Sequence, residues 1–131
     1  MTCEPCQGAG MTLDDLKSLP GYVYLATPYT RFRLGPAAAD YEARVIAARL
    51  MLRGIRVLSP IAHSHAVSRT GLVDGMDEAL WAYQDAPLLD AASAVIVVTM
   101  DGWSESKGVR AEIERARALG KPIVFLDPEH A

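Results

Sequence analysis

Ala94-Val95-Ile96-Val97-Val98-Thr99 is a continuous apolar run of the kind expected for a strand buried on both faces, and its neighbours decide how it is used. On its C-terminal side a loop, Met100 to Lys107, leads into a helix from Ser106 to Gly120, and Pro122-Ile123-Val124-Phe125-Leu126 reads as a last strand. On its N-terminal side a helical stretch starts near Asp77 and carries Leu80, Trp81 and Tyr83. Pro87 predicts a kink or a restart there, because proline removes a helix hydrogen bond. Further upstream, Ile55-Arg56-Val57-Leu58 reads as a strand closed by Ser59-Pro60, with a polar loop following through His63, His65 and Gly71. Before it, Pro36 suits a first helical turn, and Ala37 to Arg53 places Tyr41, Val45, Ala48 and Leu52 at helical spacing. Tyr22-Val23-Tyr24-Leu25-Ala26, introduced by Pro20-Gly21 and stopped by Thr27-Pro28, is the first strand.

Strands that alternate with helices imply parallel pairing, right-handed crossovers and helices on both faces. The expected fold is therefore α/β, a flavodoxin/Rossmann-like three-layer sandwich with a four- to five-stranded parallel sheet. With 131 residues, 50% of them hydrophobic, the chain has material for one core and one domain. Residues 1–20 read as a partly flexible tail and 21–131 as the domain. A net charge of -3 with mixed signs offers no basic stripe for long nucleic acid. No apolar run approaches the roughly 20 residues of a membrane span, and the start has no secretory pattern, so the expected location is the cytoplasm, away from membranes. Cys3 and Cys6 form a Cys-x-x-Cys pair, which supplies two ligands where tetrahedral zinc needs about four; the alternative is a loose tail. No resident metal or cofactor is expected.

In open parallel sheets ligands sit beyond the carboxyl ends of the strands, which directs attention to the loops after Ala26, Leu58 and Thr99. At about 100° per residue, Val109, Ile113, Ala116 and Leu119 mark the buried stripe of the last helix, and Glu112 falls inside it. A carboxylate there needs partners or a purpose: it either serves a cleft as nucleophile or acid/base, or reaches from the stripe's edge to an arginine such as Arg115. Gly108 lies one turn earlier and would let a ligand approach closely, and Ser106 can cap the helix where free amides welcome an anion. Asp85 either faces the cleft as a proton donor or caps a restarted helix before Pro87. Asp101 either touches a ligand or shapes the Asp101-Gly102 turn. His63 and His65 either bond within their loop, meet substrate or bind a metal, for which zinc would need further ligands at fitting spacing. Trp103 and Tyr29 either stack on a flat base or cover the sheet end. A Gly-x-Gly-x-x-Gly after the first strand, a P-loop and a Gly-x-Ser-x-Gly elbow are all missing, which argues against dinucleotide oxidoreductases, P-loop phosphotransferases and common serine hydrolases.

Val23-Tyr24-Leu25-Ala26-Thr27-Pro28-Tyr29, then Ser59-Pro60, then a helix with Trp81 and Asp85, then Ser106-x-Gly108-x-x-x-Glu112, together resemble the nucleoside 2-deoxyribosyltransferase-like superfamily over roughly Tyr22 to Asp127. Within it the chain looks most like a compact bacterial and phage branch with a Gly-Trp after the central strand. The resemblance implies cleavage of an N-glycosidic bond in a nucleoside or nucleoside 5'-monophosphate, by hydrolysis or base exchange. It implies Glu112 as the nucleophile that forms a glycosyl-enzyme intermediate, Tyr24 as its orienting hydroxyl and Asp85 as a contact to sugar or base. Ser106 matches the serine by which nucleotide N-hydrolases hold the 5'-phosphate, whereas free-nucleoside transferases carry an acid there. The glycine-rich phosphate turn of those hydrolases is replaced by Pro28-Tyr29-Thr30-Arg31, where Arg31 could supply donors instead. With Thr27, Pro28, Tyr29, Arg31, His63, Asp101, Trp103, Ser106 and Gly108, these make up the expected substrate site. The resemblance also implies a homodimer or higher homo-oligomer. The competing reading is a noncatalytic nucleotide-binding, regulatory module.

Overall fold

The computed structural model describes residues 11–131. It is an α/β fold, Rossmann-like, around a four-stranded, wholly parallel sheet in the order β2-β1-β3-β4. The strands are β1 (Val23–Ala26), β2 (Val57–Leu58), β3 (Ala94–Val98) and β4 (Ile123–Leu126), and the helices are α1 (Pro36–Leu52), α2 (Pro60–Ser68), α3 (Glu78–Ala91) and α4 (Lys107–Ala118). β1 and β3 lie inside the sheet and are buried at every residue, which is why they read as unbroken apolar runs. Their register pairs Val23 with Ala94, Tyr24 with Val95, Leu25 with Ile96 and Ala26 with Val97.

Alternation along these strands divides the core in two. Val23, Leu25, Ile96 and Val98 pack on one face with Ile46 and Leu50 of α1, while Tyr24, Ala26, Val95 and Val97 pack on the other with Leu89 of α3 and Val109, Ile113 and Ala116 of α4. Part of the segment read as a tail joins the first face: Asp14–Ser18 forms a 3-10 turn whose Leu16 is buried. Cys3 and Cys6 lie outside the described residues. No helix among the described residues is long and apolar enough to cross a membrane.

Several local readings are corrected. The stripe Tyr41, Val45, Ala48 and Leu52 is not the inner face of α1: Tyr41 is 56% and Leu52 89% exposed. The sheet instead takes Ala39, Ala43, Ile46 and Leu50, all of them buried. Leu119 is likewise exposed, because it is the C-cap where α4 leaves the sheet. The segment read as a polar loop after Leu58 is α2, started by the Ser59 side chain accepting from the Ala62 amide at 3.2 Å with Pro60 in the first turn. Helix α3 runs through Pro87 without a restart, and the neighbouring exposure of Tyr83 and Pro87 leaves the Tyr83 carbonyl, which the proline cannot satisfy, open to solvent. Asp85 therefore caps nothing; the cap of α3 is Asp77, whose side chain accepts from the Leu80 amide at 3.2 Å.

The loops after β1 and β3 are joined at one tight point. Gly102 has φ +84°, and a Cβ added there would overlap the Arg31 carbonyl oxygen. Beside it the Asp101 carboxylate accepts from the Arg33 amide at 2.9 Å. Gly102→Ala should therefore cost about 2–3 kcal/mol in urea unfolding, from the left-handed backbone and the clash together. A loss below about 0.5 kcal/mol would show that this joint is not rigid.

Candidate functional site

Side chains from β1, α2, α3 and α4 enclose a cavity of about 520 Å³ at the carboxyl end of the sheet. That size suits a small ligand, and the position is the one parallel sheets favour. Tyr24 points from β1 toward α4 because its register puts it on that face, and its hydroxyl donates to Oε2 of Glu112. Glu112 is thus carried on the buried stripe of α4 but opens into the cavity, and it does not pair with Arg115, which grips Asp90 through two hydrogen bonds of 3.0 and 2.9 Å.

Burial is the main influence on the Glu112 carboxyl, pushing it up to about 8; the Tyr24 hydrogen bond opposes this, and the charge of Asp85 adds to it. Tyr24 is raised in turn, first by burial and then by the Glu112 charge, so its phenol stays protonated and remains a donor. Asp85, half-buried on α3 and on the cavity wall, is also raised by burial, with His63 pulling the other way. Two carboxyls with raised proton affinity thus share one partly dry space, an arrangement suited to nucleophilic or acid/base work.

The rest of the expected site is partly assembled. Thr27, Tyr29, Ser106 and Gly108 stand on the wall. Thr27 is buried, and its Oγ1 has no hydrogen-bond partner among the described residues. The Tyr29 hydroxyl shares a hydrogen bond of 2.7 Å with His65 Nδ1. Ser106 is the N-cap of α4, its hydroxyl accepting from the Val109 amide at 3.2 Å, so the cap and the wall are the same residue. A Cβ on Gly108 would come no closer than 3.8 Å to any neighbour, the Ser106 hydroxyl. The protein thus has room for a side chain there and leaves it unfilled.

Other expected residues lie elsewhere. Pro28 is buried and not part of the lining, and His63 is exposed on α2, near enough to Asp85 to be felt by its charge. Arg31 is exposed, with its backbone against Gly102, and Asp101 is committed to the Arg33 amide. Trp103 packs on Phe125 with ring centroids 5.8 Å apart, beside β4 and away from the cavity. Trp81 borders the cavity with Tyr24 and Tyr29, and its Nε1 donates to the Asp74 carbonyl at 3.0 Å. Trp81 figured in the sequence only as a helix marker; its position one turn before Asp85 on α3 was the available signal. Lys107, also on the wall, was missed because a lysine opening a helix reads as solvated surface. Among the described residues no group of three or more His, Cys, Asp and Glu side chains is placed to hold a metal ion.

Fold and site together define a parallel α/β domain with a small-molecule cavity at its strand ends and a carboxylate on a buried hydrogen bond. Residues 21–127 match the family model described as Domain of unknown function (DUF1937), and the chain belongs to that family. No curated protein matches it.

Because the folded protein holds the Glu112 proton more tightly than an unfolded chain, whose ordinary value is 4.5, the associated stability is complete below that value and is lost as pH rises through about 8. Glu112→Gln keeps the shape without the charge. It should be more stable than wild type by about 1–2 kcal/mol near pH 9, allowing for solvent in the cavity, and indistinguishable near pH 5. Urea titrations at the two pH values test this, and a difference independent of pH would refute the buried-carboxyl account.

Proposed function

We propose that this protein cleaves the N-glycosidic bond of a nucleoside or nucleoside 5'-monophosphate through a covalent glycosyl-Glu112 intermediate, as a relative of the nucleoside 2-deoxyribosyltransferase-like superfamily. The observation that carries the reading is the Tyr24–Glu112 hydrogen bond inside the cavity. It fixes one carboxylate oxygen and leaves the other to attack the anomeric carbon. As the new C–O bond forms, the C1'–N bond breaks and its electron pair leaves with the base, which takes a proton from Asp85. Water, or a second base, then attacks the same carbon from the opposite side, gives a proton to the Asp85 carboxylate left by the first step and releases Glu112, so configuration is retained over two displacements.

The wall supports one placement of the substrate. Tyr29 and Trp81 offer aromatic surface to a base. The amino end of α4, with Ser106 and Lys107, suits a 5'-phosphate, and the unpartnered Thr27 hydroxyl offers a hydrogen bond to the sugar or phosphate. Arg31 does not line this space, so Lys107 takes the cationic role there. A second reading, a noncatalytic nucleotide-binding module, is favoured by one fact: a carboxyl pushed up to about 8 is mostly protonated at neutral pH and is then a poor nucleophile.

The two readings part on turnover. Incubated with ribo- and deoxyribonucleoside 5'-monophosphates, with and without acceptor bases, wild type should release free base, detected chromatographically, and Glu112→Gln should lose at least about a thousandfold. Below a pH of about 8, kcat/KM should climb about tenfold per unit, because only ionised Glu112 attacks. Saturable binding of a monophosphate with no release by wild type would leave the binding-module reading standing and sink the catalytic one. Gly108→Ala, for which the protein itself has room, should leave the thermal midpoint within about 2 °C and weaken monophosphate binding about tenfold in calorimetry, since the methyl group would occupy ligand space. Unchanged affinity would place the ligand elsewhere.

A further inference from the structure

The outer face of α1 is apolar and, among the described residues, largely exposed. At about 100° per residue, Ala39, Ala43, Ile46 and Leu50 face the sheet, and Tyr41, Val45, Ala48 and Leu52 run down the diametrically opposite side. Tyr41 is 56% exposed, Met51 beside the stripe 56% and Leu52 89%, while Ala48 is exposed and Val45 half-buried. A solvated helix face is ordinarily polar. Alternating steps of four, three and four residues are those of a coiled-coil seam, and the small Ala48 in the middle allows a second helix to come close.

Charges on either side of the stripe specify the occupant. Glu42 and Arg49 border it on the same side, one toward each end of the helix; both are exposed, and among the described residues neither makes an ion pair. Arg44 borders the other side, held by Asp40 at 3.0 Å. If a second copy of α1 lies antiparallel about a two-fold axis through the middle of the helix, Glu42 meets the partner's Arg49 and Arg49 meets the partner's Glu42. In the same arrangement Tyr41 packs on the partner's Leu52, and Val45 on the partner's Ala48. A parallel pairing would set Arg44 against the partner's Arg49, two like charges. The stripe is therefore self-complementary in one orientation only, the condition for a closed two-fold contact.

We propose that this face of α1 is a homodimerisation surface, two chains packing α1 against α1 in antiparallel fashion. α1 packs on the sheet face opposite that of α3 and α4, so the dimer leaves the cavity open, and its existence is independent of the chemistry proposed for Glu112.

Sedimentation equilibrium of the full chain over a micromolar concentration series tests the proposal. Wild type should be a monomer–dimer system. Glu42→Arg and Arg49→Glu each replace two attractions by two repulsions and should weaken self-association about tenfold or more. An equimolar mixture of the two variants should restore dimer, because the Glu42→Arg chain is then basic at both positions and the Arg49→Glu chain acidic at both, so opposite charges meet again at each end of the contact. Leu52→Glu, at an exposed position, should give monomer with an unchanged circular dichroism spectrum. A wild type that is monomeric throughout, single charge variants that dimerise as tightly as wild type, or a mixture that stays monomeric would each overturn the proposal.

Discussion

The parallel pairing of β1 with β3 is the constraint from which the rest of the molecule follows. Both strands are buried on both sides, so each alternate side chain is committed to one half of the core, and the pairing of Tyr24 with Val95 puts the tyrosine under α4. A slip of one residue would send Tyr24 to the α1 face and turn Val23 and Leu25 toward the cavity. The register that fills the core is thus the register that delivers a phenol to Glu112.

The second constraint is the placement of a carboxyl in an apolar stripe. Burial of Glu112 opposes its ionisation, and the fold offsets this with one hydroxyl rather than with a cation. Arg115 is on the same helix and borders the same cavity, but Asp90 holds it in a bidentate pair. An arginine on Glu112 would have lowered its proton affinity and neutralised it. Burial instead, opposed by the Tyr24 hydrogen bond and helped by the Asp85 charge, keeps the carboxyl poised near the pH where it can exchange a proton, the property that the proposed chemistry uses and that costs stability as the pH rises.

Around this pair, the loops at the strand ends do two separate jobs. The loop after β3 turns at Gly102 against the Arg31 carbonyl, and with Asp101 and Trp103 it builds a buttress beside β4. The wall of the cavity comes from β1 and the residues that follow it, from α2 and from the facing turns of α3 and α4. Residues adjacent in sequence to a strand end therefore divide between buttress and wall according to which way the turn sends them.

The sequence by itself determined the class of fold and the approximate place of every strand, because a strand buried on both faces must be apolar throughout and must be closed by turn residues. It also singled out Glu112, whose position in an apolar stripe follows from helical spacing alone, with Gly108 one turn before it and Ser106 at the start of the helix. It misjudged α1, where both faces are apolar and spacing cannot say which one meets the sheet, and α2, where Ser59-Pro60 is as good a helix start as a strand stop. Only the tertiary structure decided that Trp81 rather than Trp103 borders the cavity, that Arg31 and Asp101 are spent on loop geometry, and that Thr27 Oγ1 is left without a partner among the described residues. Those outcomes depend on which surfaces meet across the sheet, and residues far apart in the chain acquire that relation only when the core is packed.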